Sequence, residues 1–92
     1  MRITAELSLY PLQADFIVKI QSFIQKLRTE PGLEVRSNQM STQIRGELDA
    51  VVGAVRGALE ASFADGQPEV LVAKFLNADL PIDAPPDAGS VT

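Results

Sequence analysis

Over residues 2–78 the apolar positions repeat like a strand, a helix, two strands, a helix and a strand, and that order leaves few folds open. Arg2 to Tyr10 alternates: Ile3, Ala5, Leu7 and Leu9 fall on one face, Thr4, Glu6, Ser8 and Tyr10 on the other. A period of two is that of a half-buried strand. Pro11 ends it, because proline cannot donate to a continuing ladder. From about Gln13 to Thr29 the spacing becomes three and four, with Phe16, Ile20, Phe23, Ile24 and Leu27 on one helical stripe widened by Ile17. Asp15 suits the positive end of that helix, Lys26 and Arg28 the negative end, and Pro31-Gly32 stops it.

Alternation returns at Leu33–Asn38, with Leu33 and Val35 inward. After a turn at Gln39-Met40 it continues in Ser41–Gly46, where Thr42 and Ile44 face the core. A second helix is predicted from about Glu47 to Ala64, with Leu48, Val51, Val52, Val55, Leu59, Ser62 and Phe63 as its buried stripe. Gly53 and Gly57 each cost that helix roughly 1 kcal/mol against alanine. With Ala50, Ala54, Ala58 and Ala61 they form a face of small side chains, suited to close packing on the first helix or the sheet, or to a ligand or a second subunit. Glu69–Leu76 is apolar on both faces, as in a strand covered from both sides. Residues 79–92, with three prolines and little to bury, are expected to form a mobile tail beyond a folded domain of residues 1–78.

Right-handed crossovers turn this order into two interlocked βαβ units. The expected fold is α+β: a ferredoxin-like βαββαβ sandwich, its antiparallel sheet ordered 4-1-3-2 and both helices on one face. The other face would carry Thr4, Glu6, Ser8, Glu34, Arg36, Ser41, Gln43 and Arg45, with Glu6 and Arg45 as a cross-strand pair.

Composition narrows the chemistry. Ninety-two residues make one domain with a thin core, and a net charge of −4 gives no basic face for nucleic acid or an anionic membrane. The chain has no cysteine and no histidine, which removes disulfides, thiolate nucleophiles, the common zinc sites and the usual general base near neutral pH. The acids are scattered over strands and helix starts with no paired arrangement on one face, so no catalytic residue, metal or cofactor is expected and a binding module is favoured over an enzyme. Met1–Tyr10 lacks the apolar run of a signal peptide and no stretch reaches membrane-spanning length, so cytoplasmic residence without membrane insertion is the expectation.

At Ser8–Leu12 (SLYPL), Ala14–Ile17 (ADFI) and Met40–Val51 (MSTQIRGELDAV) the chain resembles the YkoF-type thiamine/hydroxymethylpyrimidine-binding family. The resemblance spans roughly residues 2–78. It implies a ferredoxin-like unit that binds thiamine or its pyrimidine half without transforming it, in uptake or handling of the vitamin. The best-known members carry two such units in tandem, so a single unit implies a homodimer or larger assembly. Mapped onto this chain, the contacts fall at the end of the first strand and the start of the third. Leu9 offers backbone groups and Thr42 its hydroxyl, with Ser8, Tyr10, Met40 and Ser41 beside them and Asn77 at the end of the last strand.

The side chains can be weighed on their own chemistry. An aminopyrimidine needs an apolar or aromatic wall and a few hydroxyl, amide or backbone partners. Tyr10, Phe16, Met40 and Phe75 are candidate walls, Ser41, Thr42 and Asn77 candidate partners, and Glu6, Asp15 or Asp49 candidate acids for a thiazolium cation. Each also has a structural use: Thr42 as a core strand residue, Tyr10 at the sheet edge, Asp15 and Asp49 at helix starts, Asn77 in a turn. The alternative function is a ligand-free assembly or regulatory module that uses the open sheet face.

Overall fold

The computed structural model describes residues 1–84. It contains β1 (Arg2–Pro11), α1 (Phe16–Arg28), β2 (Glu34–Ser37), β3 (Thr42–Glu47), α2 (Leu48–Phe63) and β4 (Glu69–Leu76). The strands form one antiparallel sheet in the order β2-β3-β1-β4, which is the expected 4-1-3-2 read from the other edge. Both helices lie on one face. Ile3, Ala5, Leu7 and Leu9 of β1 and Ile44 of β3 point into the core between sheet and helices, where Phe23 and Leu27 of α1 and Val51, Ala54, Val55 and Ala58 of α2 meet them. Val35 packs against this cluster from β2. Close approach dictates one residue outright. A Cβ on Gly46 would sit 2.9 Å from the Gly32 carbonyl, so the β3 backbone passes the loop after α1 only without a side chain.

The packing departs from the sequence reading in four places. In α2 the stripe is inward only in part: Val51, Val55 and Ser62 are buried as expected, joined by Ala54 and Ala58 of the small-residue face, whereas Leu48, Val52 and Phe63, assigned to the stripe, are exposed. Small side chains let α2 approach α1 closely, and the bulkier apolar residues are displaced toward β4. The second departure is β4 itself, which is an edge strand whose Val70, Val72, Phe75 and Leu76 are exposed rather than covered from both sides. Third, Glu6 and Arg45 do not pair. Register sets Glu6 opposite Gln43 and Thr4 opposite Arg45, and Glu6 meets Lys74 of β4 at 3.4 Å instead.

Fourth, the chain stays on the body past residue 78 and crosses the open sheet face. Thr4 Oγ1 donates to the Ala78 carbonyl at 2.8 Å and accepts from the Leu80 amide at 2.9 Å. Arg45 Nη1 donates to the Leu80 carbonyl at 2.7 Å, and Asp79 forms ion pairs with Arg2 and Arg45, both at 3.1 Å. This strap explains why Thr4, on the face away from the helices, is only 6% exposed. The expectation of mobility for residues 85–92 lies outside the described residues.

Lys19 ties the end of α2 and the start of β4 to α1. Its ammonium donates to the Ser62 carbonyl at 2.6 Å and to Asp65 at 2.9 Å, and faces the enclosed Glu69 carboxylate at 3.8 Å. The Lys19 hydrogen bond holds the Asp65 carboxyl below its usual range, and the same bond raises the Lys19 ammonium. Glu6 is lowered chiefly by a hydrogen bond from Ser41. Carboxyls lowered on folding stabilise the fold above their unfolded pKa values and lose that contribution as pH falls through the lowered folded values. Stability is therefore expected to decline on acidification below about 4.5, the ordinary value for Glu6, and to hold at neutral pH. Lys19→Met removes the partner of Asp65, so thermal melts across pH should show a shallower acid decline in the variant. An identical acid profile would show that the ion pair forms no better in the folded state than in the unfolded one.

Candidate functional site: a cavity at the overhanging end of β1

β1 is longer than the strand beside it. Its pairing with β3 covers Arg2 to Leu7, whereas its pairing with β4 runs from Thr4 to Pro11. Ser8–Pro11 therefore have a strand on one side only. In an antiparallel ladder each residue's N–H and C=O point together to one neighbour, so every second residue of this overhang turns unpaired main chain to the β3 side. A cavity of about 400 Å³ opens there, bounded by Leu7–Leu12, by Phe16, Ile20, Phe23 and Ile24 of α1, and by the turn Asn38–Thr42. Its volume lies within the range typical of small-molecule sites.

The turn owes its shape to Asn38. The Asn38 Oδ1 accepts from the amides of Met40 at 2.8 Å and Ser41 at 3.0 Å, and its own amide donates to the Ser41 carbonyl at 3.0 Å. An asparagine that satisfies the amides two and three residues on is the usual way a short polar side chain fixes a turn. Ser8 Oγ reaches the Met40 carbonyl at 3.5 Å, which holds the turn against the overhang. Thr42 is 5% exposed and opposite Leu7, and its hydroxyl lies 2.8 Å from that of Ser37. Since either oxygen can be the donor, a ligand acceptor or donor at Thr42 is met by rotating the pair. Ser41 Oγ donates to Glu6 at 2.9 Å and accepts from Gln43 Nε2 at 2.7 Å. The result is an apolar wall from α1 and β1 facing a rim of hydroxyls, amide groups and free main chain, with one ionised carboxylate immediately behind Ser41.

Six of the seven residues singled out from the sequence, Ser8, Leu9, Tyr10, Met40, Ser41 and Thr42, line this one cavity. Asn77 does not. Antiparallel register carries the end of β4 toward the start of β1, and Asn77 sits with Met1, Ile3, Leu48 and Val52 at the far end of the sheet. Of the candidate walls, Tyr10, Phe16 and Met40 are present and Phe75 is not; Phe75 lies over α2 with Val52, Leu59 and Phe63. Ile20, Phe23 and Ile24 read as plain core in the sequence. They line the cavity because β3 begins only at Thr42, opposite Leu7, and does not extend beneath this part of α1. Asn38 carried a usable signal, an asparagine two residues before the turn's Met40, that periodicity alone passes over.

Fold and cavity together define a class: a single ferredoxin-like α+β unit with a small-molecule-sized cavity where the first strand outruns its neighbour. The model of the YkoF-related family matches residues 2–85, and the chain belongs to that family. Among solved structures, a hypothetical protein of Methanocaldococcus jannaschii is 25% identical, with a TM-score of 0.75 over 85% of this chain and 81% of that one. A Streptococcus pneumoniae protein is 22% identical, with a TM-score of 0.79 over 90% of this chain and 94% of that one. A Thermotoga maritima protein proposed to act in thiamine biosynthesis or salvage is 16% identical, with a TM-score of 0.77 over 90% and 92%. These structures share the fold. No curated protein matches the chain. No helix among the described residues is long and apolar enough to cross a membrane.

Proposed function

We propose that this protein binds thiamine or its hydroxymethylpyrimidine half reversibly, without transforming it, in the cavity at the end of β1. The observation that carries this reading is the cavity itself: an apolar wall sized for an aromatic ring, faced by free main chain at Ser8–Tyr10 and by the Thr42–Ser37 hydroxyl pair. An aminopyrimidine offers what those groups need, a flat ring with an exocyclic donor and ring acceptors. Family membership and the thiamine description of a structural neighbour point the same way. The working unit is a homodimer or larger assembly, supported by the exposed apolar residues that collect along β4 and the adjoining side of α2.

Calorimetry with thiamine and the free pyrimidine tests the binding. Thr42→Val preserves shape and removes the hydroxyl, so affinity should fall by about 1–2 kcal/mol, roughly five- to thirty-fold, with little change in melting temperature. Unchanged affinity in that variant would move the ligand away from Thr42. No heat with either compound, from folded protein, would favour the ligand-free assembly module.

A further inference from the structure

The cavity crosses the plane of the sheet. Alternation along β1 turns Leu7 and Leu9 toward the helices, where both are buried, and Ser8 and Tyr10 toward the outer face, with Thr4 and Glu6. Ser41 is on that outer side too, since its hydroxyl donates to Glu6. Both sets line one cavity: Leu7, Leu9 and the α1 wall from within, Ser8, Tyr10 and Ser41 from without. The passage exists because β3 begins at Thr42, opposite Leu7, so no strand of the sheet stands beside Leu9 on that side. Strands are spaced about 4.8 Å apart, so the missing one leaves room for the single methylene that joins the two rings of thiamine. We propose, resting on the reading just given, that the vitamin is threaded through this gap. Its neutral pyrimidine lies on the helix side, and its thiazolium lies on the outer face against the ring of Tyr10.

Charge sorts the two ends. Among the described residues no charged side chain lines the cavity. A cation moved between its apolar walls would lose hydration that nothing there replaces, whereas a neutral ring would not. Of the candidate acids Glu6, Asp15 and Asp49, none borders the cavity. Glu6 stands in a row across the outer face, with Lys74 at 3.4 Å on one side and Gln43 and Arg36 on the other. That row carries both signs and sets up no field for a cation, which leaves an aromatic face as the means of holding one. The one tyrosine and four phenylalanines of the chain all fall within the described residues. Phe16 and Phe23 are on α1, Phe63 is on α2, and Phe75, opposite Ala5, faces the helices. Tyr10 is therefore the one aromatic side chain on the outer face. It is 53% exposed and borders the cavity, and exposed Val70 stands opposite it on β4, so the ring has an apolar neighbour and an open side.

The experiment is calorimetry with thiamine and with free hydroxymethylpyrimidine on wild type, Tyr10→Phe and Tyr10→Ala, read as the ratio of the two affinities. In Tyr10→Ala the preference for thiamine over the free pyrimidine should fall by about three- to thirty-fold, the range of a cation on an aromatic face. Tyr10→Phe keeps that face and should keep the wild-type ratio. An unchanged ratio in Tyr10→Ala, whether both affinities fall alike or neither does, would overturn the threading and leave vitamin binding standing. A ratio that falls as far in Tyr10→Phe as in Tyr10→Ala would overturn it too, in favour of a contact through the phenol hydroxyl. Binding of neither compound by folded wild type would overturn the parent reading and this one together.

Discussion

The wild type is expected to elute as a dimer or larger, and Phe75→Glu to elute at the 9.9 kDa mass of one chain. Phe75 is 53% exposed and lies in an apolar groove with Val52, Leu59 and Phe63. Around the same edge Val70, Val72 and Leu76 are exposed on the opposite face of β4. Edge strands of monomeric proteins are usually guarded by charge, proline or a covering segment, and β4 has Lys74 alone along its length between Glu69 and Leu76. Its outer backbone edge and both apolar faces suit a second copy of the same strand, added antiparallel about a two-fold axis. A large aromatic at the centre of such a contact is worth about 2–4 kcal/mol, so the glutamate variant should dimerise roughly 30- to 1,000-fold more weakly. Light scattering on a sizing column reads the outcome, with far-ultraviolet circular dichroism to show the variant is folded. Wild type at the mass of one chain at micromolar concentration would refute the assembly.

The second large effect is on stability. Leu27 has no exposed surface and sits where α1 meets the sheet and α2. Leu27→Ala removes that burial and leaves a hole the surrounding helices cannot fully close, at a cost of about 2–5 kcal/mol. Domains of this size are stable by only about 5–15 kcal/mol, so the variant should melt roughly 10–30 °C lower at matched protein concentration. Phe16→Ala is the control: Phe16 is 48% exposed, and its loss should cost under about 1 kcal/mol. Equal destabilisation by the two would mean that α1 is rotated from the orientation described.

The contrast between those two residues shows how far periodicity reaches. The stripe Phe16, Ile20, Phe23, Ile24, Leu27 correctly identified a helix and its inward side, because a period near 3.6 is set by backbone geometry. It did not separate the half that covers sheet from the half that walls a cavity, since apolar residues serve both. The same limit misassigned three residues of the α2 stripe, while Val51, Val55 and Ser62 are buried as expected. Leu48, Val52 and Phe63 looked like core by bulk, yet Ala54 and Ala58 took the core because two helices close together need small side chains between them. Thr42, Leu9 and the turn before β3 were legible through their resemblance to a family, joined to a register that aims Thr42 inward. Asn77 was misplaced because position along a strand does not say which end of the sheet is reached until antiparallel pairing is drawn. The strap at Asp79–Leu80 was illegible for another reason: apart from the Asp79 ion pairs with Arg2 and Arg45, its anchors are backbone groups bonded to Thr4 and Arg45, and almost any sequence can supply a carbonyl and an amide.

Because the free edge at Ser8–Tyr10 is main chain, the proposed recognition there does not depend on which residues occupy those positions. A point mutation can change a hydroxyl or a ring, but every residue other than proline brings the same amide and carbonyl. Drift in side chains along the overhang therefore leaves its donors and acceptors in place. What would extinguish it is a change in strand length. Three more residues of β3 ladder beyond the Leu7–Thr42 pair would satisfy the edge internally and turn a receptive end of the sheet into an ordinary one. In this architecture insertions and deletions in the turn at Asn38–Ser41, more than substitutions, are the mutational events expected to gain or abolish the proposed binding site.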